Sequence, residues 1–249
     1  MVNLVDCRAL ILAGGRGERL RPLTDSCPKP LLPILGRPLI RYVIDPITAA
    51  GLGKITIAVK YMGERIVQEL GNSHQYLYEG TTMAENVFLT AKMYPEPVIF
   101  GFSADTLLTK KPIERLIEIH DIDRFDASLL LTTLPEPQQK KWNFIIDDRV
   151  LQQIKVESTF TTYERVGLAL NRNALAFITN GFTQYLAKET DNYLEYGKYQ
   201  TGWNFILKRM IDCGLNVQAE VTNHPVYNVN THESYNNAES FVKQYLSSK

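Results

Sequence analysis

The chain has 249 residues, 45% of them hydrophobic and 22% charged, with Lys+Arg and Asp+Glu equal at 27 each. That length buries a sizeable core without staples, and the balanced charge argues against a nucleic-acid or membrane-surface partner, which a basic excess would mark. Cys7, Cys27 and Cys213 lie far apart with no Cys-x-x-Cys spacing, the histidines form no zinc pair, and no run approaches the ~18 to 20 apolar residues of a membrane helix, so a reduced, cytoplasmic setting is expected.

Arg8 to Leu12 is a short apolar run ending in glycines, which predicts a buried strand entering a tight loop. Pro38 to Ala50 carries apolar residues at helical spacing and is closed by Gly51 and Gly53. Strands are expected at Lys54 to Val59, Gln75 to Tyr78 and Pro97 to Phe102, with helices between them at Gly63 to Leu70 and Thr82 to Lys92. Pro112 to His120 is a further helix, and Ala127 to Thr133 a further strand. Such alternation predicts an α/β fold with a mostly parallel sheet covered on both faces. After Pro137, short strands at Asn143 to Ile146, Leu151 to Val156 and Arg165 to Asn171, with a polar turn at Asp147-Asp148-Arg149, predict a smaller β-rich portion over the sheet. Helices at Asn173 to Ile178, Phe182 to Lys188 and Thr201 to Cys213, a strand at Val217 to Val221 and a closing helix from His232 to Leu246 complete the chain. Without repeats or linkers, 1–249 reads as one domain.

The stretch from Leu12 to Pro33 is LAGGRGERLRPLTDSCPKPLLP. Gly14, Gly15 and Gly17, directly after a strand, expose backbone N–H groups where no side chain obstructs a phosphate. The P-loop template fails, because no Lys-Ser/Thr pair follows the glycines. The Gly-x-Gly-x-x-Gly template also fails, because Leu20 holds the last position.

Leu12 to Thr24, with Pro28 to Ile34 and Gly36 to Ile40, resembles the N-terminal signature of the sugar-1-phosphate nucleotidyltransferases over about thirty positions. The resemblance implies a Rossmann-like, glycosyltransferase-A-like three-layer α/β/α fold. It divides the domain into a nucleotide-binding part (about 1–135), an acceptor-binding part (about 136–222) and a closing strand and helix (223–249). It also implies an Mg²⁺-dependent reaction that joins a nucleoside triphosphate to a sugar 1-phosphate and releases pyrophosphate. The backbone of Leu12, Ala13, Gly14 and Gly15 would then meet base and ribose, with Gly17 in the same loop. Arg19 would bind the β- and γ-phosphates, and Lys29 would approach the α-phosphate, where negative charge accumulates in the transition state.

Tyr78-Glu79-Gly80-Thr81-Thr82 resembles the family's base-reading segment, which makes Glu79, Gly80 and Thr81 nucleotide contacts; a helix cap by Thr81 or Thr82 is equally compatible. Asp105 ends the buried strand at the carboxyl edge, where a carboxylate suits Mg²⁺, although Ala104-Asp105 stands in place of the family's Gly-Asp. Asn230, or else Asn228, resembles the second metal ligand, and either Asn230 or Thr231 could cap the helix that follows. On the acceptor side the resemblance weakens: Trp142-Asn143 lacks the family's glycine, and no Glu-Lys-Pro is present. Asn143, Lys155, Glu157, Glu164 and Gly167 are the acceptor candidates.

Two other functions fit these residues. One is a cytidylyltransferase acting on phosphocholine or a similar phosphorylated alcohol, since such enzymes share the N-terminal signature. The other is a catalytically silent, nucleotide-sugar-binding regulator, although Arg19, Lys29 and Asp105 are all retained. The expected partners are a nucleoside triphosphate and a phosphorylated small acceptor, with no nucleic acid and no membrane. Many relatives form dimers or tetramers, which leaves a homo-oligomer open. The ~20 residues after Asn230 are too few for the β-helix that some relatives append.

Overall fold

The computed structural model describes residues 3–78, 80, 83–178 and 203–246. The strands are β1 (Cys7–Leu12), β2 (Pro33–Ile34), β3 (Arg37–Pro38), β4 (Ile55–Ala58), β5 (Gln75–Leu77), β6 (Val98–Ser103), β7 (Thr106–Leu108), β8 (Ala127–Asp147), β9 (Val150–Leu170), β10 (Val217–Thr222) and β11 (Val226–Asn228). The helices are α1 (Leu23–Ser26), α2 (Arg41–Ala49), α3 (Gly63–Leu70), α4 (Met83–Met93), α5 (Lys110–Ile119), α6 (172–178), α7 (Trp203–Asp212) and α8 (His232–Phe241). Seven strands form one sheet in the order β5-β4-β1-β6-β9-β8-β10. All run parallel except β9, which is antiparallel to β6 and β8.

β1 is central and buried because its side chains serve two cores. Ala9 and Ile11 join Val43, Ile47 and Phe100 on one face, whereas Leu10 joins Val87, Ile99 and Leu168 on the other. Strand order reverses at β1, with β4 on one side and β6 on the other, so the carboxyl edge between them is a crevice. At the opposite ends of the same strands, buried Arg8 makes a bidentate pair with Glu96 at 2.9 and 3.0 Å, and Lys54 joins the same carboxylate at 3.0 Å. Burial alone would raise the Glu96 pKa, but the Arg8 and Lys54 hydrogen bonds outweigh it and hold the carboxyl down at about 2. This pairing ties together the chain entering β1, β4 and β6.

The predicted alternation is present, with boundaries shifted by a few residues. The expected helix from Phe182 to Lys188 lies outside the described residues. Where four short strands were expected (Ala127 to Thr133, Asn143 to Ile146, Leu151 to Val156 and Arg165 to Asn171), β8 and β9 form one continuous hairpin, joined by Asp148 and Arg149 with both φ values positive (41° and 65°). Register shifts along its ladder, between Leu130 and Leu131 and at three further points, let it bend. Its tip returns to β10, where Val150 pairs with Gln218. Phe144, Leu151 and Ile154 then pack with Ile178, Ile206 and Met210. The β-rich portion is therefore a bent extension of the main sheet.

Two small pairings went unforeseen in the sequence. β2 and β3 form a hairpin over Leu35 and Gly36, and β11 pairs antiparallel with β7. The second brings residues 226–228 beside 106–108, although more than a hundred residues separate them in the chain.

His120 is 1% exposed, with Nδ1 2.9 Å from Ser128 Oγ, and burial pushes its pKa down to about 4 against a smaller opposing pull from Asp121. A folded-state pKa below the free value means the unfolded chain binds the proton first. The stability contribution is therefore complete above pH 6.5 and is lost as the pH falls toward 4, on the order of 3 kcal/mol. Thermal unfolding between pH 7 and 5 should show a falling midpoint in wild type and a smaller fall in His120→Gln.

Candidate functional site

The crevice at the carboxyl edge opens into a cavity of about 610 Å³ lined by the loop after β1, by Lys29 and Lys60, and by Gly80, Asp105 and Asn230. The loop starts where Ala13 N–H donates to Ala58 O at 2.8 Å and Ala104 N–H to Leu12 O at 3.1 Å, which fixes it to β4 and β6. Beyond that point the amides of Gly14, Gly15, Arg16 and Gly17 donate to no acceptor among the described residues. Four consecutive amides are thus available to an anion. The charged lining residues are Arg16, Arg19, Lys29 and Lys60 against Glu18 and Asp105, so positive charge is in excess.

The three loop glycines have separate reasons. A Cβ on Gly14 would lie 3.2 Å from Lys60 Cβ, so Gly14 allows close passage of the chain after β4. A Cβ on Gly15 would meet nothing within 4 Å, which leaves room in the cavity. Gly17 has φ +65°, and its Cβ would meet Thr24 Cγ2 at 3.0 Å and Lys29 Cβ at 3.1 Å. Its carbonyl accepts from Leu20 N at 2.8 Å and Thr24 Oγ1 at 3.0 Å, which turns the chain into a short 3₁₀ helix carrying Arg19.

Lys29 opens another 3₁₀ turn between Pro28 and Pro30, held by Ile40 N–H donating to Pro30 O at 2.8 Å. The prolines restrict the backbone on either side of it, and its side chain lines the cavity. Its ammonium lies 2.5 Å from Asp105 Oδ2 and 3.0 Å from Asn230 Oδ1. Arg19 Nη2 donates to the same Asn230 oxygen at 3.3 Å. Arg19, Lys29, Asp105 and Asn230 therefore meet at one point.

The β7–β11 pairing explains how. Val229 N–H donates to Asp105 O at 2.9 Å, extending that ladder by one step to set Asn230 against Asp105. Asn228 instead accepts from Thr106 Oγ1 at 2.7 Å within the small sheet, so of the two asparagines Asn230 reaches the site. The α8 cap is Thr231, in a reciprocal box with Ser234, which leaves the Asn230 side chain free of that task. Asp105 and Asn230 offer two hard oxygens to one position, a donor set that suits Mg²⁺ completed by phosphate oxygens and water. Among the described residues no cluster of three or more His, Cys, Asp or Glu offers another metal position.

Residues 8–144 match the family described as Nucleotidyl transferase. The chain belongs to this family. It is 46% identical to the N-acetylmuramate alpha-1-phosphate uridylyltransferase of Neisseria meningitidis serogroup B over 69 residues, 28% of this chain and 30% of that protein. It is 31% identical to the mannose-1-phosphate guanyltransferase of Pichia angusta over 175 residues, 66% of this chain and 47% of that protein. The chain thus spans about a third to a half of the length of these curated relatives. A crystal structure from Bacillus anthracis, assigned as a glucose-1-phosphate thymidylyltransferase, superposes with a TM-score of 0.77 over 98% of both chains at 18% identity, which supports the fold.

In this member of the family, the remaining expected contacts divide. Leu12, Ala13 and Gly80 line the cavity, whereas Glu79 and Thr81 lie outside the described residues. A Cβ on Gly80 would fall 2.0 Å from Asn86 Oδ1, so Gly80 admits the Asn86 side chain to the lining. Asn143 on β8 faces Lys155 on β9, and Glu157 and Glu164 follow along β9; the side chains of these four are outside the described set. Gly167 makes room for the Phe102 ring and Leu116, each 2.9 Å from where a Cβ would stand.

Sequence reasoning missed Arg16, Lys60 and Arg165. Lys60 follows a predicted strand at its carboxyl end, which was the available signal. Arg165 is a lone cation directly before the apolar run Val166 to Leu170. On β9, Leu168 pairs with Gly101 of β6, so the antiparallel strand carries Arg165 to the sheet edge where Asp105 stands. Arg165 has no hydrogen bond or ion pair among the described residues; burial draws its pKa down to about 10, and the Asp105 carboxylate pulls the other way. It remains charged at neutral pH.

The two loop glycines should respond differently to a methyl group. Gly17→Ala should lower stability by about 1–2 kcal/mol in thermal or urea unfolding, because its backbone is left-handed and crowded. Gly15→Ala should leave stability within about 0.5 kcal/mol of wild type and weaken triphosphate binding in calorimetry.

Proposed function

We propose that this nucleotidyl transferase joins a nucleoside triphosphate to a sugar 1-phosphate, releasing pyrophosphate and forming a nucleotide sugar, with Mg²⁺ as cofactor. The observation that carries the reading is the meeting of Arg19, Lys29, Asp105 and Asn230 in the cavity that the glycine loop also lines, whose amides have no acceptor among the described residues. The names of the relatives, among them a uridylyltransferase and a guanyltransferase for sugar 1-phosphates, support the same class.

In this reading the backbone of Leu12 to Gly15 meets base and ribose, and the Arg16 and Gly17 amides with the Arg19 guanidinium hold the β- and γ-phosphates, which become the leaving pyrophosphate. Lys29 faces the α-phosphate. An oxygen of the acceptor phosphate attacks the α-phosphorus in line, a new P–O bond forms, and the bond to the bridging oxygen of the β-phosphate breaks. No covalent enzyme intermediate is needed, and no protein acid or base is required, because the acceptor phosphate is already an anion. Positioning and fixed positive charge supply the acceleration. Asp105 and Asn230 would hold Mg²⁺, whose charge would offset repulsion between the two phosphate groups. The acceptor enters along β9, where Arg165 offers its cation to the attacking phosphate.

The test is a panel of ATP, CTP, GTP and UTP against mannose 1-phosphate, N-acetylmuramate 1-phosphate, glucose 1-phosphate and phosphocholine, with Mg²⁺, reading released pyrophosphate. Turnover with at least one sugar phosphate is expected. Turnover with phosphocholine alone would assign the chain to choline-type acceptors, and none with any pair would favour a silent, ligand-binding regulator. Asp105→Ala should lower kcat by at least about a hundredfold with the fold intact by circular dichroism. Arg165→Met should raise KM for the acceptor about tenfold or more and leave KM for the triphosphate within about twofold, with Arg165→Lys recovering part of the loss.

A further inference from the structure

The two oxygens assigned above to the metal are both turned toward the Lys29 ammonium, at 2.5 and 3.0 Å. The Lys29 side chain is 13% exposed and that of Asp105 26%, so both charges are largely withdrawn from water. Among the described residues Asp105 is the only carboxylate paired with Lys29. Arg19 adds a second cationic donor to Asn230 Oδ1 at 3.3 Å. A divalent ion taking these same oxygens would stand within a few ångströms of the ammonium, and two cations at that distance in a shielded site repel strongly. Metal and lysine therefore compete for one position.

We propose that Lys29 is an internal counter-cation that occupies the Asp105–Asn230 oxygen pair until a triphosphate arrives to receive its ammonium. The inference rests on the metal-dependent reading given above and adds a binding order to it. Free divalent metal binds weakly, because Lys29 must be displaced with no anion to move to. A triphosphate supplies that anion, so Lys29 transfers from carboxylate to α-phosphate as the metal enters. Metal and nucleotide then strengthen each other's binding by the same factor, as linkage requires. The prolines on either side of Lys29 fix its backbone, so the exchange takes place in the side chain alone. The cation that stabilises the developing charge is thereby delivered to the reacting phosphorus by the metal that replaces it.

The probe is Mn²⁺, followed as the free ion by electron paramagnetic resonance at pH 7.5 with the full chain. Lys29→Met should bind Mn²⁺ alone at least about tenfold more tightly than wild type, and the double variant Lys29→Met/Asp105→Asn should lose that gain. Lys29→Gln, which keeps a polar side chain without charge, should show the same direction, and circular dichroism checks that each variant is folded. Wild type should take up Mn²⁺ when ATP, CTP, GTP or UTP is added, beyond what the nucleotide binds by itself. Uptake by wild type with nucleotide but no gain in either Lys29 variant would overturn this inference and leave the metal reading standing. Uptake by none of the proteins under any condition would overturn both.

Discussion

The contact of one ammonium with two oxygens organises the carboxyl edge of the sheet in this protein. Lys29, Asp105 and Asn230 come from a turn near the start of the chain, the end of the fourth parallel strand in sequence order, and the segment before the last helix. Nothing local brings them together. The sheet carries β1 and β6 to a common edge, the β7–β11 pairing carries Asn230 to Asp105, and the paired prolines present Lys29 to both. Each of those features can be understood as a device for holding charge where the strands end.

At this edge, positive potential comes from backbone and side chain by different routes. The glycine loop contributes amides by omitting side chains, which costs the chain conformational freedom but lets a large anion approach closely. Arg19 and Lys29 contribute whole charges on turns stiffened by hydrogen bonds and prolines. Opposite them, Asp105 is an anion within a site that the proposed reaction builds for anions, and its pairing with Lys29 balances its charge in the free protein. A carboxylate beside bound phosphates is tolerable when a cation stands between them. The distant pairing of Glu96 with Arg8 and Lys54 serves the same sheet from the other end, aligning the strands that carry the cavity.

Much of this was legible in the residues. The glycine run after a buried strand, the Pro-Lys-Pro turn, the aspartate ending an apolar strand and the late asparagine all carry local signals, because turn chemistry and strand periodicity act over a few residues. What escaped was non-local. The β8–β9 hairpin read as separate short strands because polar residues and register shifts interrupt its pattern, and nothing local shows that its tip returns to β10. The β7–β11 sheet is three residues long on each side, too short to reveal itself by periodicity, yet it selects Asn230 over Asn228. Arg165 carries no local signal beyond a cation at the start of an apolar run. Only the antiparallel placement of β9 brings it to the carboxyl edge.

In the proposed reaction, triphosphate binding rests on the cluster at Lys29. The central claim is that the Asp105–Asn230 pair is a metal position shared in turn with a lysine. A crystal structure of the chain soaked with Mn²⁺ and a triphosphate that turns over, with anomalous scattering used to locate the metal, tests it most directly. The account predicts an anomalous peak bonded to Asp105 and Asn230, with the Lys29 ammonium moved onto the α-phosphate. A metal bound elsewhere, or a triphosphate seated in the cavity while Lys29 still holds Asp105, would contradict it.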